Sequence, residues 1–96
     1  MVYFQKAADG GNSVAMLDIG ILYGLGRGVP QDYQQAMTWY YKSVGAGNST
    51  AMYNLGVAYE NGKGVAQDKQ QAVIWYRKAA ALGDERAKKR LADLAL

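Results

Sequence analysis

Ninety-six residues, half of them hydrophobic and none of them cysteine or histidine, make one small domain and exclude a disulfide framework, a thiolate metal site, a cysteine nucleophile and an imidazole base. The net charge of +3 gathers at one end: residues 61–96 hold eight Lys or Arg against four acids, residues 1–60 three against four. Neither a signal-peptide pattern nor an apolar run of membrane-spanning length is present, so the expectation is a soluble chain, cytoplasmic as written, or a fragment of an exported bacterial protein.

In chain order, the first predicted helix covers 1–8. It carries Tyr3 and Phe4 without the partner helix that would cover them, and an aromatic face of that kind is expected to seek self-association. Helices over 13–24, 49–60 and 84–95 follow Asn12, Asn48 and Asp84, side chains suited to cap a helix start. Helices over 32–45 and 68–81 open on Asp32 and Asp68, with Gln35 and Gln71 at the capping-box spacing, and close before Gly47 and Gly83. Between them, 26–31 and 62–67 are too rich in glycine for helix and too short for a crossover to a sheet. They are expected to be structured turns, with Val29 and Val65 tucked under the helix pair.

These elements form a repeat. Residues 15–50 laid over 51–86 without a gap agree at sixteen of thirty-six positions, among them Gly20 and Gly56, Tyr23 and Tyr59, Asp32 and Asp68, Trp39 and Trp75. The register runs backwards, setting Tyr3 and Phe4 on Trp39 and Tyr40, and forwards, setting Ala87 and Leu91 on Ala51 and Leu55. The single domain 1–96 thus divides into the end of a truncated repeat (1–12), two whole repeats (13–48 and 49–83) and a C-terminal capping helix (84–96). Apolar residues recur at helical spacing throughout, which makes the fold all-α. Helices this short are marginal alone and draw their stability from stacking.

Leu55-Gly56, Tyr59, Gly62-x-Gly64-Val65, Asp68, Ala72, Trp75-Tyr76, Ala79-Ala80 and Gly83 together resemble the Sel1-like repeat, a relative of the tetratricopeptide repeat; the earlier copy departs from it only at Ile19, Ser43 and Val44. The resemblance covers nearly the whole chain. It implies a right-handed α-solenoid of helix-turn-helix repeats, an α-α superhelix whose first helices line a concave groove. It also implies an adaptor that binds a protein or peptide rather than an enzyme.

The residues themselves point the same way. Gly24, Gly26 and Gly28 follow no strand and Lys63 precedes no Ser or Thr, so neither turn reads as a phosphate-cradling loop. Asp32 and Asp68 lie on separate helices with no second acid or histidine at a proton-sharing distance, which makes them caps and not catalysts; no metal or cofactor is expected. The six aromatics Tyr23, Trp39, Tyr40, Tyr59, Trp75 and Tyr76 fall on the face shared by paired helices and are expected to be core, with Trp75→Ala mostly unfolded. What remains of each first helix is the candidate binding surface: Leu17, Asp18 and Ile21, then Tyr53, Asn54 and Val57, then Lys89 and Arg90. It grades from apolar to basic and suits a peptide with an apolar stretch and an acidic flank. The alternative packing of Leu17 and Ile21 against a preceding repeat fits equally. Nucleic-acid binding by the basic last helix is the rival function, but its charge run is short and lacks interleaved aromatics.

Overall fold

The computed structural model describes residues 11–94, which form five α-helices: α1 (Ser13–Leu25), α2 (Tyr33–Gly45), α3 (Ser49–Asn61), α4 (Lys69–Ala81) and α5 (Glu85–Leu94). The helix expected over 1–8, with Tyr3 and Phe4, lies outside the described residues. Each described helix starts where a short polar side chain can satisfy orphaned backbone donors. Asn12, Asn48 and Asp84 accept from the amides of Ala15, Ala51 and Ala87, each at 3.0 Å. Asp32 accepts from Gln35 N–H at 3.1 Å, and Asp68 from the amides of both Gln70 and Gln71. The capping box is thus half made: among the described residues, the side chains of Gln35 and Gln71 do not return the bond.

The turns inside each repeat are duplicates of one another. Gly26 and Gly62 take left-handed φ of 70° and 71° and send their amides back to Leu22 and Ala58. The side-chain amides of Gln31 and Gln67 then donate to the carbonyls of Gly24 and Glu60, both at 2.8 Å, tying each turn to the end of the helix before it. Val65 packs against the cluster of Met37, Leu55 and Ala58, as a plug beneath the helix pair should.

Packing follows chain order, α1 on α2, α2 on α3, α3 on α4 and α4 on α5, in a right-handed α-solenoid measuring 44 × 25 × 16 Å. Within each repeat a tyrosine ring lies on a glycine. A Cβ on Gly20 would sit 2.7 Å from the Tyr40 ring, and one on Gly56 2.5 Å from the Tyr76 ring. These two glycines are therefore seats for rings, and Tyr76 is fully buried on its seat. Within the first whole repeat, the buried Ser43 hydroxyl also donates to the Ser13 carbonyl at 2.7 Å, joining the end of α2 to the start of α1.

The tryptophans differ from expectation. Trp39 and Trp75 are only half-buried, flanked by Lys42 and Lys78 at 4.2 and 4.5 Å from their ring centroids. One position along a helix is a rotation of about 100°, so the residue after each tryptophan faces the partner helix while the tryptophan lies at its margin. The Trp75 indole N–H is buried without an acceptor among the described residues, and its ring meets Tyr41 edge-on at 5.7 Å.

Candidate functional site

Between the first two repeats lies a cavity of about 290 Å³, formed where α1, α2 and α3 converge. Ile21 and Leu25 line it from α1, Tyr33, Met37 and Tyr40 from α2, and Asn54 and Val57 from α3, with Lys63 completing it from the turn after α3. Lys63 Nζ stands 5.2 Å from the centroid of the Tyr33 ring. The turn that carries it is held close: a Cβ on Gly64, at φ 79°, would lie 2.6 Å from the Tyr33 carbonyl oxygen. Burial pushes the Tyr40 hydroxyl above its ordinary pKa of 10.0, so at neutral pH it remains a proton donor. Among the described residues it has no hydrogen-bond partner.

Three of the residues selected from sequence, Ile21, Asn54 and Val57, meet in this one cavity. The others do not. Leu17 is 7% exposed and so is part of the interior rather than a surface residue. Asp18 is half-buried outside the cavity lining, and Lys89 is exposed on α5. Tyr53 packs on the α4–α5 core, its ring 5.7 Å from Tyr76 with the Arg86 guanidinium 4.5 Å above it.

Arg90 is occupied internally. It pairs with Glu60 and reaches Asp93 at 3.3 Å, while the Tyr76 hydroxyl donates to Glu60 Oε1 at 2.7 Å. Burial acts to raise the Glu60 pKa, but the bonds from Tyr76 and Arg90 outweigh it and hold the carboxyl below its ordinary 4.5. Burial first and then the Glu60 carboxylate push Tyr76 well above the ordinary phenol value. Arg86 is tied to Asp84 at 2.8 Å and to the Thr50 hydroxyl at 3.2 Å, and its bond lowers the Asp84 pKa. Lys88 pairs with Glu85 at 3.3 Å. Three of the four cations on α5, Arg86, Lys88 and Arg90, thus stand beside carboxylates of this chain, and Lys89 is exposed without such a pair among the described residues.

Met37 is not singled out by the sequence, and Tyr40 and Lys63 read there as a core aromatic and a turn lysine rather than as site residues. A signal for the site nonetheless exists in the register, where Gly24 and Asn54 at the first junction stand opposite Glu60 and Arg90 at the second. Among the described residues, no three Asp or Glu side chains converge as a metal site and no helix is long and apolar enough to cross a membrane.

The sequence pattern of the Sel1 repeat matches residues 1–12, 13–48 and 49–84. Solved structures agree with it. The crystal structure of a Sel1 repeat protein from Oxalobacter formigenes is 46% identical with a TM-score of 0.89, covering 95% of this chain and 68% of its own. A protective antigen present in uropathogenic Escherichia coli strains, displaying an SLR fold, is 42% identical with a TM-score of 0.93; the match covers 97% of this chain but 20% of the antigen. Helicobacter pylori cysteine-rich protein B is 31% identical with a TM-score of 0.87, over 93% of this chain and 67% of its own. No curated protein matches the chain.

Proposed function

Because the chain belongs to the Sel1 repeat family, whose members are generally non-enzymatic scaffolds for protein–protein interaction, we propose that it binds a peptide or protein segment along its first helices, centred on the cavity between the two repeats. The observation that carries this is the convergence of Ile21, Asn54 and Val57, side chains of two successive first helices, on one largely apolar cavity with a few polar groups. That combination of apolar wall and sparse polar fixing points is what binding sites share. The internal pairing of Arg86, Lys88 and Arg90 supports a protein ligand over nucleic acid, since phosphate contacts draw on cations that α5 has committed to its own acids.

The test is panning of a random peptide display library on the immobilised chain and on an Asn54→Trp variant, which fills the cavity from its rim. Peptides enriched on the parent and not on the variant are expected. Enrichment of the same peptides on both removes the cavity from the interface, and no enrichment at all refutes peptide binding.

A further inference from the structure

The thirty-six-residue register sets the two repeat junctions side by side, and they differ at their centres. At the second junction Glu60 of α3 pairs with Arg90 of α5 and accepts the Tyr76 hydroxyl of α4. One repeat earlier, Glu60 becomes Gly24, Arg90 becomes Asn54, and Tyr76 remains tyrosine as Tyr40. The ring and its glycine seat are kept, but the two long charged side chains are gone. The cavity of about 290 Å³ stands in their place, and a hydroxyl that has a carboxylate partner at the second junction lacks one at the first.

We infer that this cavity is a recognition pocket for a glutamate side chain of a bound peptide, whose carboxylate takes at Tyr40 the place Glu60 takes at Tyr76. The inference rests on the peptide-binding reading above. Lys63 is the one charged residue in the lining among the described residues, so the pocket favours an anion. An arginine entering where Arg90 would lie meets no carboxylate there and faces the like charge of Lys63. A purely apolar side chain leaves the Tyr40 hydroxyl and the Asn54 amide desolvated without partners. Glutamate meets both conditions: its methylenes lie between Ile21, Met37 and Val57, and its oxygens accept from Tyr40 and Asn54.

The second junction also supplies the test. A Cβ on Gly24 would lie 3.6 Å from the Tyr40 hydroxyl, an ordinary contact, so Gly24→Glu with Asn54→Arg should rebuild the internal ion pair and close the pocket. The probe is N-acetylglutamate N-methylamide, titrated into the full chain while the methyl resonances of Ile21, Met37 and Val57 are followed by NMR, with the glutamine analogue as control. Saturable shifts at about 1 mM, the strength a fragment of this size reaches, are expected for the glutamate probe alone. They should vanish in the double variant and weaken about tenfold in Tyr40→Phe, whose melting temperature should match the parent. Equal shifts with both probes, persistence in the double variant, or no saturable shift overturns the assignment. If the double variant does not fold, Tyr40→Phe decides alone. Because the probe is a fragment, pocket and scaffold fail separately. Probe binding without peptide enrichment refutes the scaffold, whereas enriched peptides that tolerate Glu→Gln refute the pocket.

Discussion

At the scale of single residues, the repeat is specified by a ring on a glycine. Gly56→Ala would drive a methyl to 2.5 Å from the Tyr76 ring, and overpacking of that kind costs about 1–3 kcal/mol. A fall of the urea midpoint by that equivalent, with unchanged slope, is the expected result. The two tyrosine hydroxyls separate cleanly. Tyr76→Phe removes a bond to a carboxylate and should cost about 1.5–3 kcal/mol, whereas Tyr40→Phe removes none among the described residues and should leave urea stability unchanged. Equal effects of the two would contradict the assigned network. The tryptophans pack against the core clusters as expected but stay half-buried rather than filling the core. A Trp-Tyr pair does not reveal which member faces inward, because helical spacing admits either with a small rotation of the helix. Only the contact of Tyr76 with Gly56 decides it, so the heavier loss is expected for Tyr76→Ala rather than Trp75→Ala.

At the scale of elements, the sequence was legible nearly throughout, because caps and turns are written locally. Asp68 and Asn48 announce their helices by side-chain chemistry alone, and the described helix boundaries lie within one residue of expectation. Asp68→Ala should cost about 1 kcal/mol through the lost bonds to the first turn of α4. Less legible was the reach of the turns. Gln67 bonds back seven residues to the Glu60 carbonyl within its own repeat, and Gly64 lies against Tyr33 of the preceding repeat, a contact that depends on how the repeats stack. Gly64→Ala is strained both by its positive φ and by that approach, so it should destabilise the chain by more than the roughly 1 kcal/mol that an unsuitable backbone conformation costs. A thermal melt compared with that of Gly28→Ala, which has the same sign of φ but open space around it, isolates the steric part.

At the scale of the whole molecule, the two junctions carry unequal electrostatics. Glu60 has its pKa lowered on folding, so its contribution to stability is complete above the ordinary value of 4.5 and is lost as pH falls through the lower folded value. Asp84 acts in the same direction. Chemical denaturation at neutral pH and at successively lower pH below about 4.5 should show stability falling, less steeply in Glu60→Gln; identical slopes would place the acid sensitivity elsewhere. The candidate site was half legible for the same reason. Ile21, Asn54 and Val57 follow from helical spacing, but pairing Arg90 with Glu60 requires knowing which helices meet. The order of packing, each helix against the one before and the one after, has a kinetic consequence. The largest interfaces join helices consecutive in the chain, so most contacts form without distant segments first finding each other. Refolding should therefore finish within milliseconds, with no slow phase from strand pairing, and nascent chain leaving a ribosome could assemble helix by helix as it emerges.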